Sequence, residues 1–460
     1  MNRLLALFAL LFCFSCAKPK EPIEFWLTDP KANILFQKQV EAQEDTDTEL
    51  KITVDSETSF QLMDGFGFTL SQGSAKHLLG MSESARASIL QELFGSGEKD
   101  IRISYLRLSV AASDLNEFPF SYNDLADSLA TDPELAQFSL SYDTLDVLPI
   151  LKQITAINPE IKLMASPWSP PKWMKDNKDT RGGLLLEEFE PVYAQYLVKY
   201  IQEMGNLGFE IDALTIQNEP LHPGNNPSLL MLPEQQARFI GKHLGPAFQA
   251  AGIKTKILIY DHNADRPEYP IIVLNDSLAN SFVDGSAFHL YAGDIAALSE
   301  VHQAFPDKNI YFTEQWIGAP GNLEGDMPWH IKNLIIGATR NWAKTVLEWN
   351  LTSNPELTPH TDRGGCDRCL GSITVSGDSV VRNPAYYVIA HASKLVEPGS
   401  VRIDSNVYEG LPNVAFLRPD GKKVLIALNE SQKPISFQIV DKEKVFYAEL
   451  NPGATGTWMW

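Results

Sequence analysis

The sequence predicts an α/β protein: a (β/α)8 TIM barrel carrying a small antiparallel β-sandwich domain formed by both chain ends. Three observations predict it. Short β-rich runs alternate with longer helical stretches from Gln61 onward, and eight such repeats suggest closure into a barrel. Polar and aromatic residues fall just beyond most of those runs, on the rim where barrels place their sites. From about Tyr386 the pattern changes to alternating runs broken by Asn, Pro and Gly, which reads as antiparallel strands. With 460 residues, 44% of them hydrophobic, the chain is long enough for both units.

The first residues read as a targeting segment. Arg3 supplies a positive end, Leu4 to Phe14 is almost wholly apolar, and Ser15-Cys16 precedes a polar stretch. The run is too short to span a bilayer stably. A small residue before Cys at the cleavage point resembles a bacterial lipoprotein signal, with Cys16 lipidated; an ordinary signal peptide cut nearby is the alternative. The expected organisation is a signal at 1–16, a tether at 17–48, sandwich strands at 49–60, the barrel at 61–384 and the sandwich at 385–460. The expected location is outside the cytoplasm, on the periplasmic or surface side of an outer membrane, touching the membrane only through the anchor.

Barrel strands are expected near Met63–Thr69, Ser104–Ser109, Lys162–Ser166, Ala213–Gln217, Lys256–Tyr260, Gly285–His289, Asn309–Thr313 and Lys344–Glu348. Ser82 to Phe94 has an N-cap Ser and helical spacing. Glu188 to Met204 carries an apolar stripe, and Pro233 to Ala251 and Pro328 to Asn341 behave similarly. An open doubly wound sheet is the competing arrangement. It usually carries a Gly-rich phosphate turn after the first strand, and Gly65-Phe66-Gly67 lacks the third glycine. In the tail, strands are expected at Val414–Leu417, Lys423–Leu428, Ile435–Ile439 and Trp458–Trp460, joined by the segment near Glu49–Asp55.

A net charge of −20 repels phosphate backbones, so nucleic acid is not an expected partner and a neutral substrate fits. Cys366 and Cys369 sit in a Gly-rich loop. With no second pair to complete a zinc site, they read as a disulfide pinning that loop. No metal and no organic cofactor is expected.

Just past the predicted strands stand Asp114, Trp168, Asn218-Glu219, Asp261-His262-Asn263, Tyr291, Glu314 and Trp349. Two carboxylic acids in one cleft are what glycoside hydrolysis needs: one protonated to donate to the leaving oxygen, one ionised to attack the anomeric carbon. The charge of Glu314 is expected to raise the pKa of Glu219 and keep it protonated. A lone Glu at a strand end is usually a solvated loop residue. Ile216 to Pro220 is harder to dismiss, because an apolar strand runs into Asn-Glu and stops at proline. One tryptophan or tyrosine alone reads as core; Trp168, Tyr291 and Trp349 on one rim read as a sugar platform. His289 reads as a barrel-lining histidine with a satisfied hydrogen bond. Asp261 and His262 are even between substrate contact and loop structure, and His262 is kept as a binding candidate.

Asp64-Gly65-Phe66-Gly67, Leu106-Arg107-Leu108, Ser113-Asp114, the run from Ala165 to Met174, Gln217-Asn218-Glu219-Pro220, Phe288-His289-Leu290-Tyr291, Phe312-Thr313-Glu314 and Glu348-Trp349-Asn350 occur in one order along the chain. In that order they resemble glycoside hydrolase family 30, from about Gln61 to the C-terminus. The resemblance implies a barrel with a side sandwich and a double-displacement mechanism. It implies Glu219 as acid/base, Glu314 as nucleophile, Asn218 on the sugar 2-hydroxyl, Asp114, Trp168 and Trp349 in a glucose pocket, and Tyr291 bonded to the nucleophile. The Gly-Gly-Cys-x-x-Cys loop and Tyr260-Asp261-His262-Asn263 look more like bacterial members and β-1,6-glucanase relatives than mammalian glucosylceramidases. The expected function is therefore retaining hydrolysis of β-glucosidic bonds, with β-1,6-glucan first and glucosylceramide or another β-glucoside next. A catalytically dead, glycan-binding surface lipoprotein is the reading from another class.

Overall fold

The computed structural model describes residues 23–39, 48–127 and 129–460. The proposed signal, Cys16 and part of the tether lie outside those residues. Eight parallel strands close into a barrel: Gly65–Leu70, Tyr105–Val110, Lys162–Pro167, Ala213–Thr215, Lys256–Ala264, Val283–Gly293, Asn309–Glu314 and Ala343–Asn350. They are called here strands one to eight. Each pairs in parallel with the next, and strand eight pairs with strand one. All eight expected strands are found, displaced by a few residues at their ends.

Side-chain alternation along these strands builds the interior in layers. The lower layer is apolar: Tyr105, Met164, Ala213, Leu258, Ala287, Tyr311 and Leu347, one from each of strands two to eight. Strand one contributes no side chain, because a Cβ on Gly67 would overlap the carbonyl oxygen of Tyr105. Two residues further along, the same faces carry Arg107, Ser166, Thr215, His289, Thr313 and Trp349, all buried. A polar layer therefore lies directly above the apolar one.

The helices that cover the barrel follow from local chemistry. Ser82 caps Glu83–Phe94 by accepting a hydrogen bond from the Ala85 amide. Glu190–Asn206 carries Pro at its start and buries Tyr193, Tyr196, Leu197 and Tyr200 on one face. The two longer helical expectations, Pro233 to Ala251 and Pro328 to Asn341, each contain a π-helical stretch, at Ile240–Leu244 and Ile331–Ala338.

The second unit is a nine-stranded β-system from both chain ends. Its order is Ile34–Gln39, Glu24–Asp29, Thr455–Met459, Lys423–Leu428, Asn413–Leu417, Val401–Ser405, Lys51–Leu62, Ile435–Asp441 and Lys444–Leu450. Phe25, Ile52, Val54, Leu425, Phe437, Ile439 and Trp458 form its core, with Phe25 stacked on Trp458 at 4.7 Å between centroids. Three expectations are corrected here. Residues 24–29 and 34–39 are strands, not tether, because alternation places Phe25 and Trp26 in hydrophobic cores. Ile435–Asp441 runs parallel to Lys51–Leu62, so the domain is not wholly antiparallel. Tyr386 belongs to the buried helix Pro384–Ser393, which packs between strand one and the sandwich. There His391 hydrogen-bonds both Thr28 and Thr457. That helix has no polar face to signal an end of the barrel.

Candidate active site

The polar layer is held by one buried ion cluster. Arg107, wholly buried, donates through Nη1 to Glu314 and through Nη2 to Asp261 at 2.8 Å, Asn218 at 2.7 Å and Ser166 at 3.1 Å. Asp261 also accepts from Ser166, Thr215 and Thr313, and pairs with His289 Nε2 at 3.1 Å. Burial works to raise the Asp261 carboxyl, but the Arg107 charge and the His289 and Thr313 hydrogen bonds reverse this and hold it far below the ordinary range.

Three irregularities at the strand ends aim these groups. On strand five the pairing jumps from Tyr260 to His262, and Tyr260 and Asp261 both have positive φ, at 71° and 63°. That bulge puts Asp261 into the interior, where strict alternation from Leu258 would put Tyr260. On strand seven the register slips at Thr313 and sets Glu314 opposite His289. On strand eight it slips at Trp349. Glu219 has φ 46°, a strained conformation for a residue with a side chain, and its amide donates to the Asp261 carbonyl oxygen at 2.9 Å.

Both glutamates reach the same imidazole nitrogen. His289 Nδ1 lies 3.2 Å from Glu219 Oε1 and 3.8 Å from Glu314 Oε1. The two carboxyl oxygens are thus no more than about 7 Å apart, near the spacing that spans one anomeric centre. Tyr291 donates to Glu314 at 3.0 Å, and Asn225 donates to Glu219 at 3.2 Å.

The other expected residues come to the same place. Asn218 is fixed by Arg107. Asp114 is buried and pushed up to about 8 by burial and by the charges of Glu314 and Glu219. Trp168 and Trp349 lie 5.3 Å apart and face the Arg107 guanidinium at 4.9 and 5.8 Å. At 1% and 3% exposed they are enclosed and present no open ring face. The indole nitrogen of Trp168 has no protein partner, which leaves a buried donor for a sugar hydroxyl. His262 Nδ1 stands 3.8 Å from Glu219, and burial lowers the ring to about 4, so it is neutral. Cys366 and Cys369 form a disulfide.

One electrostatic expectation is reversed. Burial and the charge of Glu219 push Glu314 up against the pull of His289 and Arg107. Burial would also raise Glu219, but the His289 hydrogen bond and charge hold it down. His289 itself, despite burial, is raised to about 9 by Glu314, Asp261 and Glu219. The surroundings of His289 thus favour its protonated form.

His289, Arg107 and Asn225 were not picked as site residues. Arg107 carried a readable signal, since a charged residue at an interior position of an apolar strand needs buried anions around it. Asn225 carried none; it lies in the loop after strand four and meets Glu219 only through folding. Among the described residues, Glu219, His262 and His289 are close enough to hold a metal ion, their ligand atoms lying within 4.8 Å of one another. His289 Nδ1, however, already bonds Glu219, and a metal would have to displace a proton held to about pH 9.

A closed (β/α)8 barrel with two carboxyls meeting over a pocket of tryptophans and amide groups defines a glycoside hydrolase. Residues 63–396 match the glycosyl hydrolase family 30 TIM-barrel domain, and residues 399–458 match that family's β-sandwich domain. The chain belongs to glycosyl hydrolase family 30. It is 33% identical to an endo-1,6-beta-D-glucanase of Aspergillus fumigatus over 407 residues, 82% of this chain and 81% of that one. It is 29% identical to the lysosomal acid glucosylceramidase of Mus musculus, over 90% of this chain and 84% of that one. Among solved structures, the endo-beta1,6-glucanase BT3312 superposes with a TM-score of 0.87 at 31% identity, covering 95% of this chain and 99% of that one.

Proposed function

We propose that the protein hydrolyses β-1,6-glucan with retention, cutting within the chain. The observation that carries the chemistry is the approach of Glu219 and Glu314 to one nitrogen of His289. The substrate rests on the names of the relatives at 31–33% identity. His289 passes its proton across their hydrogen bond to Glu219, which delivers it to the glycosidic oxygen, so the departing sugar leaves as an alcohol and Glu219 is left ionised. Glu314, held by Arg107 and Tyr291, attacks the anomeric carbon and forms a glycosyl ester. Forming the ester removes the Glu314 charge, so Glu219 then takes a proton from the incoming water as base. Asn218, Asp114 and the two tryptophans hold the sugar, and His262, neutral beside Glu219, contacts it.

Mass analysis of products from β-1,6-, β-1,3- and β-1,4-glucans and glucosylceramide tests this. A ladder of oligosaccharides from the β-1,6-linked polymer alone is expected. Release of glucose from glucosylceramide without cutting the polymer would favour the second reading, which the 90% coverage against the mouse enzyme supports. Binding without release would favour the glycan-binding lipoprotein.

We also propose export as a lipoprotein anchored through Cys16, from the charged, apolar and Ser-Cys order of residues 3–16. No helix among the described residues is long and apolar enough to cross a membrane. Radiolabelled palmitate is expected to enter the wild type and not Cys16→Ala; equal labelling of both would refute the anchor.

A further inference from the structure

Trp168 and Trp349 are enclosed, their faces covered by each other and by Arg107. A polymer must continue out of such a pocket. Trp316, two residues past Glu314, packs against the same cluster and remains half-buried, so part of its ring reaches solvent. Its position is built rather than incidental. The ring lies over Gly318, where a Cβ would come within 3.2 Å of Cη2 and 3.4 Å of Cζ3. Gly318 is laddered to Cys369, Ile317 to Leu370, and the Ala319 amide donates to the Arg368 carbonyl oxygen at 2.8 Å. Cys366 packs on the cluster from the other side of the disulfide.

The loop that holds the disulfide is itself lashed to its neighbours. The Thr361 amide donates to the Asp114 carbonyl oxygen, Thr361 Oγ1 donates to the Asn226 carbonyl oxygen, Asn226 donates to Asp362, and Arg363 pairs with Asp179. The disulfide is therefore part of the fixed backing of a half-buried indole two residues past Glu314.

We propose that Trp316 is the stacking surface for a second glucosyl unit, and that the Cys366–Cys369 disulfide is a positioning element that holds this ring. The flat apolar face of a pyranose matches an indole face, and the backing removes the entropy cost of ordering the ring at each binding event. The inference rests on the glucan reading.

The test compares β-1,6-glucan with β-glucosyl fluoride, which has no second ring. In Trp316→Ala, kcat/KM is expected to fall about tenfold more on the glucan than on the fluoride, mainly through KM, and Trp316→Phe is expected to restore most of it. The Cys366→Ser/Cys369→Ser double variant is expected to show the same selective loss, and to add none in the Trp316→Ala background. Wild type reduced with dithiothreitol provides the same comparison if that double variant fails to fold. Equal losses on both substrates, or no loss on the glucan, would overturn the role of Trp316. Additive losses would overturn the disulfide's action through it. If wild type cleaves the fluoride and ignores β-1,6-glucan, the substrate reading fails by itself. The same ratio is then taken on the longest β-glucoside it does cleave, where a ratio of one overturns Trp316.

Discussion

Glu314→Gln is expected to lower turnover by about 10⁴-fold or more and to leave the protein at least as stable at pH 7 as the wild type. The loss follows from chemistry. An amide oxygen cannot form the glycosyl ester, and the remaining pocket can bind sugar without splitting it. The stability half follows from electrostatics. Burial and the Glu219 charge raise the Glu314 carboxyl, so its ionised form is less favourable in the folded state than in the unfolded chain. Gln keeps an acceptor for Arg107 while removing that charge, and Arg107 retains Asp261 and Asn218. Steady-state rates on the glucan and a thermal melt of the same preparation check both halves. Near-normal rates would end the assignment of Glu314; a collapsed melting temperature would mean that its charge stabilises the fold.

Arg107→Met is expected to be the most damaging single change to the barrel, costing about 3–5 kcal/mol at pH 7 together with the activity. Methionine approximates the length of the arginine stem but leaves Asp261 and Glu314 without their shared cation. The pH dependence gives the sign. In the wild type the folded Asp261 carboxyl lies below its unfolded value. Its contribution is therefore present above about pH 4 and is lost only as pH falls through the lower, folded value. Without Arg107 the largest opposing charge is gone and the carboxyl rises, so the penalty shrinks as pH falls towards about 4. The gap in melting temperature between variant and wild type should therefore narrow from pH 7 towards pH 4. A gap that stays constant would show that the arginine acts by packing alone, for instance against Trp168 and Trp349.

Much of the architecture was legible because its signals are local. Gly65–Leu70 stands out as a largely apolar run, and Ile216 to Pro220 marks a strand that stops at a glutamate. The strand Glu24–Asp29 is hard to read locally because Pro22 and Pro30 on either side suggest an extended tether, while its central partner lies more than 400 residues away at Thr455–Met459 and Ile34–Gln39 pairs only with it. The helix Pro384–Ser393 was assigned to the wrong unit because it is buried all round, and a helix without a polar face carries no record of which domain it covers.

The sequence by itself determined the barrel, the two glutamates and the aromatic and amide residues around them, since each follows from alternation within one strand and from what stands at its end. Only the tertiary structure decided which groups share a proton. Bulges in strands five, seven and eight shift Asp261, Glu314 and Trp349 by one residue relative to their neighbours. Those shifts bring His289 between the acids and Arg107 beneath them. A bulge costs a strand one unpaired residue and is repaid by contacts from other strands. Its position is thus set by partners far away in the chain, and no periodicity within a single segment records it.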